Sequence, residues 1–140
     1  MFTLVFWIHL AAVGVCGAAI FGNLMMGGRV ARTAVSARPG LMAVLDRLSM
    51  LGRGALLVAL ISGPWMVIAK FGGFAGQGPW FHTKMALVML LTIAIIWTGI
   101  NSKRAHEGDR VAAGRAPWIG AAAVVLFAGV IYAAVAAFGG

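Results

Sequence analysis

The chain has 140 residues, of which 62% are hydrophobic and 10% are charged, and its mean hydropathy is +0.99. This composition excludes a water-soluble domain of this size, which cannot bury so much apolar surface. The formal net charge of +8 does not indicate binding to nucleic acid, because the basic residues lie in clusters between apolar runs, without interleaved aromatic residues. The composition predicts an integral membrane protein whose main partner is the lipid bilayer.

Four apolar runs are long enough to cross a bilayer, whose hydrocarbon core of about 30 Å needs about 20 helical residues. We predict spans at 3–26, 48–70, 80–101 and 117–138. The spans must be helical, because lipid cannot satisfy the hydrogen-bonding groups of an exposed backbone. The predicted fold is therefore all-α, a four-helix membrane bundle that forms a single transmembrane domain over residues 1–140.

The first span is interpreted as a retained membrane helix, because no positive charge precedes it and it is longer than the core of a signal peptide. Cys16, the only cysteine, is expected to be a small buried hydrophobic residue. Asn23 and Asn101, near the ends of the first and third spans, are expected to cap helices or to form interhelical hydrogen bonds. A surface of small residues suits close helix packing; it consists of Gly14, Gly17, Ala18 and Gly22.

The second span is preceded by segment 41–53, which we expect to be a helical extension at the membrane surface. The sequence Ser62-Gly63-Pro64 inside the span predicts a kink, because proline removes one backbone hydrogen bond. A polar loop is expected over 102–115 before the fourth span. Pro117 is expected in the first turn of that span, where proline is well tolerated.

The basic residues are distributed unevenly over the connections. Lys70 and Lys84 lie apart from the rest, and the other nine follow the first or the third span: Arg29, Arg32, Arg38, Arg47, Arg53, Lys103, Arg104, Arg110 and Arg115. The positive-inside rule then places both basic regions in the cytoplasm and both termini outside. We expect the protein in the inner (plasma) membrane of a bacterium.

Trp7-Ile8-His9 and Trp80-Phe81-His82 open the first and third spans, 73 residues apart (82 − 9 = 73). Both spans cross the membrane in the same direction, which suggests a parallel repeat of a two-helix unit. Two histidines at matching depths suit the binding of a haem or a metal ion. The alternative is structural: His9 hydrogen-bonded to a neighbouring helix, and His82 in contact with water at the interface.

Lys84 follows His82 by two residues, which is about 200° around a helix, so both side chains cannot face the bundle interior ideally. An inward Lys84 provides the counter-charge for a carboxylate such as a haem propionate, and Lys70 is a second candidate for that role. An outward Lys84 only anchors the helix at the interface. The eight methionines make copper the alternative cofactor, although scattered methionines are more often core residues.

Two short motifs resemble the CopD-like and HemJ-type membrane proteins. His9, followed by Cys16-Gly17-Ala18-Ala19-Ile20-Phe21, is similar to their first helix. Trp80-Phe81-His82-Thr83-Lys84-Met85 is similar to their Trp-x-x-x-Lys-Leu opening of the third helix. The resemblance implies a small helical oxidase that converts protoporphyrinogen to protoporphyrin and carries haem b, with the family's histidine at His9 and its lysine at Lys84.

These observations together predict a small membrane redox protein that binds haem b in an outer-side pocket between the first and third helices. His9 and His82 are the candidate cofactor or metal ligands, Lys70 a cofactor-binding residue, and Lys84 the catalytic candidate. A quinone or a porphyrin is the expected electron partner. The alternatives are a non-catalytic accessory subunit of a larger membrane complex and a small copper or solute transporter of CopD-like type. Other membrane subunits and further copies of the chain, in a homo-oligomer, are candidate partners.

The charge distribution generates a prediction about orientation. A probe cysteine introduced by Gly76→Cys should react with a membrane-impermeant thiol reagent added from outside, and one introduced by Gly108→Cys should not, since it lies in a basic cytoplasmic loop. The reverse labelling pattern would overturn the orientation and place the histidines on the cytoplasmic side.

Overall fold

The computed structural model describes residues 1–30 and 32–139, and only the backbone of Phe138. The chain forms four α-helices, α1 (Phe2–Val30), α2 (Arg38–Phe71), α3 (Pro79–His106) and α4 (Arg110–Phe138). Each helix is long and apolar enough to cross a membrane. The predicted all-α, four-helix membrane bundle is confirmed.

The helices extend past the predicted spans. α2 has 34 residues, about 51 Å at 1.5 Å per residue, compared with about 30 Å of hydrocarbon in a bilayer. The segment 41–53, predicted to be a helical extension, lies within α2. Apolar composition therefore marks only the lipid-covered part of each helix, and turns with polar side chains continue the helices into water.

The predicted polar loop over 102–115 is almost entirely helical, and only residues 107–109 separate α3 from α4. The cause is Asp109, whose side chain accepts hydrogen bonds from the backbone N–H groups of Val111 (3.0 Å) and Ala112 (3.1 Å). This is an N-cap, and it starts α4 at Arg110. Pro117 lies inside α4 rather than in its first turn, so that prediction was wrong.

The four helices form two hairpins, and the two helices of each hairpin are antiparallel. The first helix of one hairpin, α1, runs in the same direction as the first helix of the other, α3. α1 packs along α2, α3 packs along α4, and the hairpins meet chiefly between α1 and α4. α2 and α3 make little contact, and among the described residues no Cα atoms of α1 and α3 come within 8 Å of each other. α1 and α3 therefore lie diagonally, and any site that they share also borders another helix.

We define two ends of the bundle. The histidine end contains Phe2, Phe71 and Pro79, and the basic end contains Val30, Arg38, His106 and Arg110. Near the basic end, the Ser49 hydroxyl of α2 donates a hydrogen bond of 3.3 Å to Oδ1 of Asn23 in α1. In the other hairpin, Nδ2 of the buried Asn101 donates to the carbonyl of Ala112 in α4 at 2.7 Å. The predicted interhelical role of both asparagines is confirmed.

Small residues allow the close packing between α1 and its neighbours. Cys16 is buried as predicted, in a cluster to which all four helices contribute: Cys16, Ile20, Leu56, Leu91, Ala123 and Val130. Of the predicted small-residue surface, Gly17 packs against Phe127 of α4 and Gly22 against Leu48 of α2. Gly14 and Ala18 do not take part, because Gly14 faces open space and Ala18 is exposed.

The contact between α1 and α2 at Gly52 predicts a steric effect on stability. A Cβ atom built on Gly52 would lie 2.6 Å from the Cβ of Ala19, and neither atom can rotate away. We expect Gly52→Ala to force the helices apart and to lower the free energy of unfolding by about 1–3 kcal/mol. Thermal unfolding in mild detergent measures the effect.

Gly54→Ala is the matched control, since a Cβ at Gly54 meets nothing within 4 Å. Alanine is favoured over glycine in a helix by about 0.5–1 kcal/mol, so this variant should be at least as stable as the wild type. Equal unfolding temperatures for the two variants would contradict the close approach of α1 and α2.

Candidate functional site at the histidine end

His9 is held by a hydrogen bond to the neighbouring helix. Its Nδ1 atom lies 2.8 Å from the hydroxyl oxygen of Ser62 in α2. The single hydroxyl proton of Ser62 is donated to the carbonyl of Val58 at 2.7 Å, so the hydroxyl oxygen accepts from the imidazole. This arrangement favours the tautomer with the proton on Nδ1 and the lone pair on Nε2.

Gly63 provides the space for this imidazole. A Cβ atom built on Gly63 would lie 3.2 Å from Cε1 of His9, which is closer than most real contacts of a Cβ atom. The ring thus packs directly on the backbone of α2, beside Ser62, the residue that orients it. One helix turn of α2 supplies both the hydrogen bond and the space for His9.

The third component of the site is Lys84 of α3. Its side chain is partly buried, and it lies near enough to His9 for its charge to act on the imidazole. The two residues come from diagonally opposed helices, so this electrostatic interaction acts across the bundle. We call His9, Ser62, Gly63 and Lys84 the His9 site.

His82 and Lys70 lie elsewhere at the same end. The His82 side chain is exposed, and its ring packs edge-on against the ring of its neighbour Phe81, with centroids 5.9 Å apart. Lys70 is also exposed, and its Nζ lies 5.4 Å from the ring centroid of Phe2 and 5.6 Å from that of Phe71. These are cation–π distances, and they join the end of α2 to the start of α1.

Charged side chains are divided between the two ends of the bundle. The three acidic side chains of the chain, Asp46, Glu107 and Asp109, all belong to the half of the bundle next to the basic end. Lys70 and Lys84 belong to the half at the histidine end. An imidazole nitrogen can coordinate a metal centre, and a lysine side chain can bind a carboxylate.

A metal site built only from protein ligands has no support in the described part of the chain. No group of three or more His, Cys, Asp or Glu side chains is placed to hold a metal ion among those residues. Cys16, two turns along α1 from His9, lies in the apolar cluster of the core. The His9 site therefore supplies a single metal-ligating nitrogen together with a cation.

Sequence reasoning missed the roles of Ser62 and Gly63. Ser62-Gly63-Pro64 was interpreted only as a kink, and α2 continues as a helix through Pro64. The available signal was one serine in a long apolar run, facing a span with one histidine. The pairing of His9 with Ser62 depends on the register of α1 against α2, and a single sequence does not determine that register.

Two grooves open on the lipid-facing surface of the bundle. The α1–α2 groove has a volume of about 720 Å³ and runs between Ile8 and Val15 of α1 and Arg47 and Val58 of α2. The α2–α3 groove, of about 330 Å³, lies nearer the basic end between Arg53 and Lys103. Neither groove includes His9 among its lining residues.

No protein-family model, curated protein or solved structure matches this chain. The structure itself shows a small integral membrane protein with four helices that can cross the bilayer. At its histidine end, a histidine on α1 is oriented by a serine on α2 and approached by a lysine on α3.

Proposed function

We propose that this chain is a small membrane redox protein that binds haem b at the His9 site, with His9 as an axial ligand. The observation that carries the proposal is the hydrogen bond between Nδ1 of His9 and Ser62, 2.8 Å long. A ligating histidine usually donates its other ring N–H to an oxygen acceptor, which fixes the tautomer and the orientation of the ring. Ser62 does this for His9 and leaves Nε2 as the ligating nitrogen.

The chemistry of two side chains supports the proposal. Haem b offers an iron for Nε2 of His9 and carboxylates for the side chain of Lys84, and when bound it supplies one-electron redox chemistry. The charge of Lys84 acts on His9, so we propose that one ligand engages both side chains.

The resemblance to HemJ-type oxidases supports a porphyrin or a quinone as the electron partner. Both are flat, largely apolar molecules that dissolve in the bilayer. Of the neighbouring helices in the bundle, α2 and α3 make the least contact, and Ser62 and Lys84 belong to these two helices. We propose that the partner enters between α2 and α3, and that Lys84 binds its anionic or carbonyl oxygen atoms and positions it beside His9.

His82 is the weaker candidate for a ligand in this proposal, because its side chain is exposed. Lys70 is the weaker candidate for a carboxylate partner, since it lies over the rings of Phe2 and Phe71 at the surface. Both residues belong to the same end of the bundle and serve as matched controls for His9 and Lys84.

The proposal predicts a b-type haem spectrum that depends on His9. The dithionite-reduced minus oxidised spectrum of the protein, expressed with ample haem and purified in mild detergent, should show it. His9→Ala should abolish or shift the signal, whereas His82→Ala should have a smaller effect. Ser62→Ala should weaken haem binding by about 10–100-fold, as losing the partner of a ligating histidine does. A colourless wild-type protein would favour an accessory subunit or a transporter.

The role of Lys84 is tested separately by ligand affinity. If Lys84 pairs with a carboxylate, Lys84→Gln leaves that carboxylate unpaired at a cost of about 2–5 kcal/mol, which is at least about 30-fold in affinity. Lys84→Arg should retain part of the affinity. Lys70→Gln, which removes an exposed lysine from the same end, should not change it. Haem or porphyrin affinities of Lys84→Gln and wild type within twofold of each other would remove Lys84 from the site.

A further inference from the structure

The α2–α3 groove at the basic end combines an apolar wall with two cations. Its lining residues are Arg53 of α2 and Ile95, Ile96, Gly99, Ile100 and Lys103 of α3. The groove forms because α2 and α3 make so little contact. None of the described residues that line it is acidic, so a counter-charge for the two cations can come from a bound molecule.

Arg53 lies across the gap between the two helices. Its Nε atom donates a hydrogen bond to the carbonyl of Ser49 at 3.3 Å, which orients the side chain along α2. A Cβ atom built on Gly99 would lie 3.6 Å from a terminal guanidinium nitrogen of Arg53. The guanidinium therefore lies against the backbone of α3, in space that Gly99 leaves free. Lys103 follows Gly99 by four residues, on the same face of α3.

The positions of these residues along α2 and α3 match the levels of the headgroup and the acyl chains of a phospholipid. Arg53 is 18 residues from the Phe71 end of α2, about 27 Å, and Lys103 is 23 residues after Trp80, about 35 Å along α3. The hydrocarbon core is about 30 Å thick. With the histidine end placed at one interface, Lys103 would reach the headgroup level of the other. Arg53 would lie about 3 Å short of that level, a distance that its long side chain can span. Ile95 and Ile96 lie about 11 Å deeper than Lys103, at the level of the acyl chains.

We propose that the α2–α3 groove is a binding site for one anionic glycerophospholipid. The phosphate lies between Arg53 and Lys103, and an acyl chain packs against Ile96 and Ile100. The planar guanidinium of Arg53 suits two hydrogen bonds to phosphate oxygens, and Lys103 adds a compact charge. Basic pockets between membrane helices bind anionic lipid headgroups for this reason. The site is independent of the His9 site and of any cofactor there.

Native mass spectrometry of the full-length protein in non-ionic detergent tests the proposal. Dioleoyl phosphatidylglycerol and dioleoyl phosphatidylcholine are titrated, and the affinity of the first bound lipid is compared. We expect tighter binding of phosphatidylglycerol. The double variant Arg53→Gln, Lys103→Gln should lose about 30-fold in that affinity, from about 1 kcal/mol for each basic residue and about 1.4 kcal/mol for each factor of ten.

The control is the double variant Arg104→Gln, Arg110→Gln, which removes the same charge from exposed positions at the same end but outside the groove. Its affinity for phosphatidylglycerol should stay within about twofold of the wild type. Gly99→Leu fills the groove and displaces Arg53 without a change of net charge, and it should also abolish tight binding.

Three results would overturn the proposal. Equal losses of affinity for phosphatidylglycerol in both double variants would mean that the lipid is attracted by the total charge of the basic end and not by a site in the groove. Equal affinities for phosphatidylglycerol and phosphatidylcholine would show that the negative charge of the lipid makes no contribution to binding. A dimer mass in the wild type that Gly99→Leu abolishes, without a change in lipid affinity, would assign the groove to a second copy of the chain.

Discussion

The hydrogen bond between His9 and Ser62 is the interaction on which the rest of the account depends. Lipid offers no partner to an imidazole, so a histidine inside a span must find one on another helix. The register of α1 against α2 supplies it at 2.8 Å, with Gly63 leaving space for the ring. The same contact fixes the orientation of the imidazole ring, and the proposed ligand role of His9 depends on that orientation.

Unequal packing among the four helices determines where molecules can reach the bundle. Each hairpin is closely packed, as at the contact of Gly52 with Ala19. The two hairpins meet between α1 and α4, where Gly17 packs against Phe127. α2 and α3 remain apart. At the histidine end these two helices carry Ser62 and Lys84, and at the basic end they form the groove between Arg53 and Lys103. A redox ligand and an anionic lipid would thus use opposite ends of the same loosely packed side.

The sequence was sufficient for the features that apolarity alone determines. Four spans follow from hydropathy, and a cysteine or an asparagine inside a span has few options, so Cys16, Asn23 and Asn101 could be interpreted correctly. The start of α4 could not be predicted correctly, because the cap at Asp109 and the polar helical turns before Pro117 carry no apolar signal. The partnership of His9 and Ser62 depends on helix register. The choice between an inward Lys84 and an inward His82 depends on the rotation of α3, which places Lys84 near His9 and leaves His82 exposed.

The tautomer of His9 is the most direct test of the hydrogen bond between His9 and Ser62 and of the proposal that depends on it. In protein labelled with ¹⁵N-histidine, with His82→Gln and His106→Gln leaving a single histidine, NMR in lipid bilayers or mild detergent reports which ring nitrogen carries the proton. We expect a proton on Nδ1 and a bare Nε2, and a loss of this preference in Ser62→Ala. A proton on Nε2 with a bare Nδ1, or a ring that does not respond to the loss of Ser62, would contradict it.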